Sequence, residues 1–583
     1  MTNQEIAQVL NEIGDRLDIL GEDSFKVGAY RRAARVLEQE PYPAEALVAE
    51  GRLQELRGIG KAIATKVADL LREGRSPYLE RLREQVPDSV TELLKVPGIG
   101  PRTAGRLWRE MGISNLAELE AAARSGALRG KPGIGGKTEA NILAAIERLR
   151  ARPDRLPLFR VYDVARAVKE RLRALPSITD ADAAGSVRRW QPTVGDLDFV
   201  AASTDPPAAI RAFVQFPEVG SVVAQGETEA RVLLSAGVQA DLRTVHPEAY
   251  GSLLQHFTGS KEHNIQLREL ASTKGLSISE YGVKRLSTGE TKPCATEEDV
   301  YRMLGLDLIP PEIRHGSGEI EAAARHTLPK LVAHADIRGD LQCHTSYSDG
   351  SASVLEMALA AKDLGYDYLA ITDHSPGRAN AGGLTLERLQ QQAAEVAEVR
   401  RQVPGITLLH GSEVDIRADG SLDLPDEVLA RLDLVVAAVH SAMGQPRERV
   451  TARVLAAVRH PLVDVLAHPT GRLLGERDPI DLDLDAVFAA AAESGVALEI
   501  NAGPSRLDLD GSLARQAHAA GVLLCVNTDA HATAHLASFM PWGVAQARRA
   551  WLTPDDLLNC RPAPALMEWL AARKKRASAR VGR

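Results

Sequence analysis

Seven short apolar runs in the second half of the chain limit its fold more than any other feature. They span residues 339–344, 369–374, 408–413, 435–440, 463–468, 498–501 and 523–531, and alanine-rich stretches with helical spacing separate them. Runs of that length suit strands buried on both faces, and strands alternating with helices build a parallel sheet. Seven in succession predict a β/α barrel, which places its chemistry at the carboxyl ends of its strands. At those ends stand His344, His374, Glu413, His440, His468, Asp529 and His531, with Asp349 in the loop after the first run. One histidine after a strand is ordinarily a structural residue. Five at equivalent positions, beside three carboxylates, are a ligand set for metals.

The front half carries a second constellation at residues 185–200, Gly-Ser-Val-Arg-Arg-Trp-Gln-Pro-Thr-Val-Gly-Asp-Leu-Asp-Phe-Val. Acidic and apolar residues alternate at its end, as on a strand with one wet face, so Asp196 and Asp198 project to the same side. Two carboxylates that close repel unless a divalent cation sits between them, and hard oxygen ligands suit Mg²⁺ or Mn²⁺. Upstream, Gly185 and Ser186 offer backbone N–H groups to a phosphate, and Arg188 and Arg189 add charge-assisted donors. An acidic strand end beside surface arginines would look the same at Asp-x-Asp alone. Metal ligands and a phosphate cradle in one stretch point to nucleotidyl transfer.

Ahead of it, Gly-Ile-Gly occurs three times, at 58–60, 98–100 and 133–135, each time leading into a helical pattern. Glycine lets a backbone approach phosphate at a helix start. Gly58, Gly60, Gly98, Gly100, Gly133 and Gly135 are therefore expected to meet DNA backbone without reading its sequence. A net charge of −8 looks wrong for that role until it is divided. Residues 51–150 hold 18 Lys+Arg against 12 Asp+Glu, whereas 337–572 hold 19 against 31. The front can meet phosphate, and the back supplies carboxylates for metals. No apolar run reaches the length of a membrane span, and Cys294, Cys343, Cys525 and Cys560 form no Cys-x-x-Cys pair, which suits free thiols in a reducing cytoplasm.

The repeated hairpins resemble the helix-hairpin-helix motif. With residues 25–33 (Phe-Lys-Val-Gly-Ala-Tyr-Arg-Arg-Ala), Arg155-Leu-Pro and the Gly-Ser…Gly-Asp-Leu-Asp stretch, the chain resembles the family-X DNA polymerases, typified by polymerase beta, in co-linear order over 1–315. That resemblance implies a lyase-type domain holding DNA ends (1–88), a helix-hairpin-helix subdomain (89–150), a catalytic palm (151–246) and a nucleotide-selecting subdomain (247–315). It puts Lys66 at the family's Schiff-base lysine, where an amine attacks an abasic-site aldehyde, with Lys26 and Tyr30 lining a 5′-phosphate pocket. In the palm it implies that Asp241, on a neighbouring strand, joins Asp196 and Asp198 in a triad for two Mg²⁺ or Mn²⁺ ions. Arg155, Gly185, Ser186, Arg189 and Gly195 would hold the nucleotide. Residues 256–264, His-Phe-Thr-Gly-Ser-Lys-Glu-His-Asn, are similar to the family's Tyr-Phe-Thr-Gly-Ser motif, with His256 in place of the tyrosine. Phe257 and Gly259 would crowd the sugar 2′ position, Asn264 would touch the base edge and Arg268 the template.

Residues 337–572 resemble the polymerase-and-histidinol-phosphatase (PHP) family through His344-Thr-x-Tyr-Ser-Asp349, Thr372-Asp-His374, Glu413, His440-Ser, Ala467-His468-Pro and Asp529-Ala-His531. This implies a phosphoesterase with a Mn²⁺ or Zn²⁺ cluster and, in bacterial family-X polymerases, a Mn²⁺-dependent 3′–5′ exonuclease. The family opens with His-x-His; Gln342 stands in the first place here and is a poorer ligand. The expected whole is a multidomain α+β and α/β chain. Helical hairpin-bearing domains precede a mixed-sheet palm; a linker (316–336), a seven-stranded barrel and a disordered basic tail (573–583) follow. Its expected function is DNA-directed synthesis that fills short gaps in repair, with trimming of 3′ ends. The alternatives are a DNA-end-binding scaffold with an inactive barrel, or another nucleotidyltransferase. Expected partners are gapped or nicked DNA and dNTPs, met by a monomer in the cytoplasm at the nucleoid, with no membrane involved.

Overall fold

The computed structural model describes residues 3–39, 44–56, 58–96, 99–128, a few positions between 139 and 146, and 155–581. Gly98, Gly133 and Gly135 lie outside the described residues. Two compact units divide the chain, 1–154 and 155–583. In the first, α1 (Asn3–Leu20), α2 (Ser24–Gln39) and α3 (Lys61–Glu73) share a core of Ile6, Leu10, Leu17, Val27, Leu37 and Val67. A second core joins Val90, Leu93, Val96 and Ile99 to Leu107 of α4 (Pro101–Met111). The two described hairpins work alike. Ile59 and Ile99 plug the cores, while Gly60 and Gly100 cap α3 and α4 with open space where a Cβ would stand. Gly58 has φ +111, which side-chain-bearing residues rarely adopt.

The second unit begins with the palm. Helix α5 (Leu158–Arg173) packs on a five-stranded sheet made of β1 (Ile178–Ala183), β2 (Leu197–Ser203), β3 (Val219–Gln225), β4 (Glu229–Leu234) and β5 (Gln239–Val245). The order is β1-β2-β5-β4-β3; β2 and β5 are parallel and the other pairs antiparallel, so the sheet is mixed. Between β1 and β2 lies the one-turn helix α6 (Gly185–Arg188). Next come α7 (Tyr250–Thr258), α8 (Lys261–Thr273) and α9 (Glu297–Met303). The buried Glu297 of α9 accepts from Arg188 of the palm at 2.6 Å and from Arg314 at 2.6 Å, tying the regions together.

The stretch expected as a linker is packed at both ends. It contains α10 (Glu319–Ala324), whose Ile320 and Ala323 join the core around Leu267 and Tyr301, while Val332 joins the core of the barrel. The barrel strands are β6 (Gly339–Cys343), β7 (Tyr368–Ile371), β8 (Thr407–Asp415), β9 (Leu434–Ala438), β10 (Val465–Leu466), β11 (Ala497–Asn501) and β12 (Leu524–Asn527). Each pairs in parallel with the next, and a bridge between Cys343 and Ala530 brings the first strand to the last. Leu341, Tyr368, Leu409, Val436, Val465 and Cys525 fill the interior. Helix α11 (Thr533–Arg549) follows β12 and lends Trp542 to the hydrophobic core of the palm, joined there by Leu507.

The expected disordered tail is corrected at its start. Helix α12 (Ala563–Val581) covers the amino ends of the strands with Leu566 and Leu570 and runs on through Arg573 and Lys574. Arg573 is buried, 2.9 Å from Asp464, and donates to the Val463 and Gly495 carbonyls; Lys574 donates to Leu432 O. Buried acceptors claim these cations before solvent or DNA can. Among the described residues no helix is long and apolar enough to cross a membrane.

Burial opposes the charge on Glu297, but Arg314 and Arg188 outweigh it and hold its pKa at about 2. A depressed carboxyl stabilises the fold fully above its unfolded value of 4.5, and this contribution fades as pH falls toward 2. Glu297→Gln should therefore flatten the decline of the urea midpoint between those values. At neutral pH it should cost about 3–5 kcal/mol, the usual result of breaking a buried pair.

Candidate functional site

Parallel pairing of β2 and β5 sets Asp198 directly beside Asp241. Asp196 precedes Asp198 by two residues, the spacing that shares a face. Burial, then the charges of Asp196 and Asp241, raise the Asp198 pKa to about 7 against the pull of Arg189. Arg231 Nε at 2.7 Å and Gln239 Nε2 at 2.8 Å steady Asp241. Gly185 has φ +54, and a Cβ there would lie 2.1 Å from Asp198 Oδ2. The Ala184 N–H donates to Asp198 O at 2.8 Å, so the turn after β1 and the start of β2 move as one piece. Beyond α6, Trp190 sits at φ +51, and Gln191 N–H closes the turn onto Ser186 O at 3.0 Å. Gly195 is exposed at the approach to β2.

Adjacent arginines part company here. Arg189 donates to Thr258 O, lies against Gly259, and leaves a buried Nε without a hydrogen-bond partner; burial lowers its pKa to about 10. An anion would complete its bonding. Arg188, read from sequence as a second phosphate donor, turns instead to Glu297 and Thr258 Oγ1, because a buried carboxylate outbids a solvated ligand site. Arg155 holds Thr193 Oγ1 at 3.0 Å. Phe257 lies beneath the Arg243 guanidinium, 4.8 Å from the ring centre. Asn264 commits its amide to His256 O at 2.7 Å and Gln255 Nε2 at 2.9 Å, and Arg268 Nε returns to Asn264 O at 3.1 Å.

In the barrel all eight expected ligands converge. Glu413, fully buried near the end of β8, lies 2.9 Å from His374 Nδ1, 2.9 Å from His468 Nε2, 3.2 Å from His440 Nε2 and 3.5 Å from His344 Nε2. Asp529, at φ +53, is 3.0 Å from His344 Nε2. Asp349 is 3.4 Å from His531 and 3.5 Å from His374. Two overlapping groups have the spacing of metal ligands: His344, Asp349, His374 and His531, and His374, Glu413 and His440. Burial disfavours charge on His374, yet Glu413 and Asp349 raise its pKa to about 10; His531, between Asp349 and Asp529, goes to about 9 the same way. His468, buried and near Arg506, drops to about 4.

These donors fit a metal cluster. Both His344 nitrogens, His468 Nδ1 and both amide atoms of Gln342 are buried with no aligned hydrogen-bond partner, a cost that coordination would remove. Sequence reading passed over the groups that hold the ligands. Asp415 takes His440 Nδ1 at 3.1 Å, and Glu499 accepts from the His468 N–H at 2.7 Å and from Asn527 at 2.9 Å. Asp373 collects Thr345, Ser348 and Gln392. Asp373 and Asp415 adjoin ligands in sequence, which was a usable signal; Glu499 offered none.

Four family models match: a helix-hairpin-helix domain at 1–76, a SAM-like helix-hairpin-helix tandem at 90–148, the DNA polymerase beta thumb at 253–315 and the PHP domain at 340–503. The DNA polymerase/3′-5′ exonuclease PolX of Bacillus subtilis (strain 168) is 39% identical over 564 residues, covering 96% of this chain and 98% of that protein. The chain belongs to the family-X DNA polymerases that carry a PHP domain. DNA polymerase lambda of Rattus norvegicus is 25% identical over 343 residues, 54% of this chain and 56% of its own. A probable phosphatase of Thermoanaerobacter sp. (strain X514) is 29% identical over 231 residues, 38% of this chain and 89% of its own.

In the first unit of this family-X polymerase, Lys66, Tyr30 and Lys26 meet around a residue that sequence reading missed. Lys66 Nζ stands 4.9 Å above the Tyr78 ring, Tyr30 stacks on the same ring at 6.2 Å, and Lys26, whose Nζ donates to Glu22 at 3.2 Å, lies near enough for the Tyr78 oxygen to favour its charge. Tyr78 follows a Pro that opens helix Pro77–Gln85, and only the packing of that helix brings it to the lysines. For the palm, Gly185→Ala should displace Asp198. A Mn²⁺ titration followed by electron paramagnetic resonance should then show palm affinity reduced about tenfold or more, and unchanged affinity would show that the carboxylate had not moved.

Proposed function

We propose that this polymerase fills short gaps in DNA by two-metal nucleotidyl transfer at Asp196, Asp198 and Asp241. The observation that carries this reading is the β2–β5 register, which brings Asp198 and Asp241 together beneath the turn bearing Ser186 and Arg189. Mg²⁺ or Mn²⁺ held by the three carboxylates would supply the positive charge that acidifies a primer 3′-hydroxyl and steadies the leaving phosphate. The residues do the placing. Ser186 and Arg189, with Arg155 beside Thr193, bind the β- and γ-phosphates of a dNTP. Gly195 keeps the mouth open, and Phe257 with Gly259 narrows the space at the sugar 2′ position. Arg268 approaches the template, and Asn264 reaches the base edge once its bond to His256 O opens. In the first unit Gly58, Gly60 and Gly100 grip the DNA backbone. Lys26 and Tyr30 receive a 5′-phosphate beside Lys66, whose amine is placed for lyase chemistry on an abasic end.

The barrel, on the same reading, trims 3′ ends with Mn²⁺ held by His344, Asp349, His374, Glu413, His440, His468, Asp529 and His531. The convergence of four histidines on Glu413 supports it, as does the 3′-5′ exonuclease of the similar Bacillus subtilis PolX. Gln342 adds an amide where an imidazole would bind more tightly, so one ion of the cluster is held weakly.

On a gapped primer–template, Asp198→Ala and Asp241→Ala should each lower dNTP incorporation at least about 100-fold, while Asp529→Ala and His531→Ala abolish Mn²⁺-dependent 3′ degradation and leave incorporation intact. Normal extension by Asp198→Ala would remove the palm assignment. Borohydride should trap the wild-type protein on a 5′ abasic end, and Lys66→Ala should lose that adduct; trapping that persists would move the lyase amine elsewhere.

A further inference from the structure

The barrel helix α11 begins directly after Ala532, next to the ligand His531, and ends against the phosphate turn of the palm. Its 17 residues make a helix ~25 Å long that starts beside His531 and lies along the palm turn from Trp542 to Arg549. Three side chains on it close over residues 188–191. Trp542 packs edge-on against Trp190 at 5.3 Å and against Tyr162 at 4.9 Å. Gln546, fully buried, donates to Trp190 O at 3.1 Å and accepts from Gly511 N–H at 3.2 Å. Arg549 donates through Nη1 to Arg189 O at 2.8 Å and through Nη2 to Gln191 Oε1 at 3.1 Å.

Each contact falls on a part of the turn that is awkward to hold unaided. Trp190 occupies a left-handed backbone conformation that a bulky residue adopts only under outside constraint. The Trp190 and Arg189 carbonyls take their side-chain donors from α11, Gln546 and Arg549 respectively. Gln191 N–H in turn closes on Ser186 O, so whatever fixes Gln191 also fixes the Ser186 backbone. The Arg189 side chain is secured from a different direction, by Thr258 O. Its main chain is held within the turn by its N–H on Gly185 O at 3.3 Å, and from outside by Arg549 of the barrel on its carbonyl.

We propose that Trp542, Gln546 and Arg549 of the PHP domain are positioning residues of the polymerase: they set the phosphate turn, and through it dNTP affinity, independently of the nuclease centre. The inference rests on the assignment of Ser186 and Arg189 to the triphosphate. None of the three touches a barrel ligand, so synthesis and degradation respond separately to their loss.

Steady-state incorporation by full-length Arg549→Ala should show KM for dNTP raised about tenfold with kcat changed less than about threefold. Mn²⁺-dependent degradation of a single strand should stay within about twofold of wild type. Arg549→Lys, which keeps one donor for Arg189 O, should recover part of the KM. Gln191→Ala should raise KM in the same direction, and the double variant should fall short of the product of the two effects because one bond is removed twice. Unchanged KM in Arg549→Ala, or polymerase and nuclease losses of equal size that track a lowered melting temperature, would overturn the proposal. Ser186→Ala separates the two failures: if its KM for dNTP is unchanged, the triphosphate assignment falls first; if its KM rises while Arg549→Ala keeps its own, only the positioning role falls.

Discussion

Carboxylates gathered on neighbouring inner strands repel, and the palm is built so that they cannot escape one another. Asp198 rises to about 7 under burial and the charges of Asp196 and Asp241. A strand free to slide would relieve this, but β2 and β5 pair through six successive positions from Leu197 to Ala202. A side chain free to rotate would relieve it too, but Gly185 packs on Asp198 too tightly for a Cβ. The fold thus stores a repulsion that a divalent cation would relieve, which would couple metal binding to the spacing of the carboxylates. The barrel solves the converse problem. Glu413 is buried among four imidazoles, so removing its charge would strand them, and removing them would strand it.

Residues 155–583 are joined by buried interactions rather than strung together. Glu297 draws one arginine from the palm and another from beyond α9. Trp542 and Leu507 complete the palm core from the barrel, and the connecting stretch buries residues in the cores on both sides of it. Sites on such shared cores can influence one another without any moving part, because packed interfaces transmit displacement.

Much of the site was legible in the chain because its chemistry clusters locally. Asp196 and Asp198 share a face by spacing alone, and strand-end histidines mark the mouth of the barrel. Other assignments depended on distant partners. Arg188 and Arg189 are neighbours with similar surroundings in sequence, yet a carboxylate 109 residues later takes the first and leaves the second with a buried, unpartnered Nε. Arg573 sits in a run of basic residues that reads as solvated, and only the buried Asp464 shows that it is structural. Tyr78, like Glu499, bears no motif.

From sequence alone came the order of the elements, the first two hairpins, the seven barrel strands and the histidines and acids that gather at the barrel's mouth. Each of these is written in periodicity and spacing between near neighbours. Tertiary structure decided which of two adjacent arginines a buried carboxylate claims, which acids brace the histidines, how the linker and tail pack, and that a barrel helix lies against the palm turn. Those outcomes turn on which buried charge or carbonyl finds a partner first, and partners hundreds of residues apart leave no local trace.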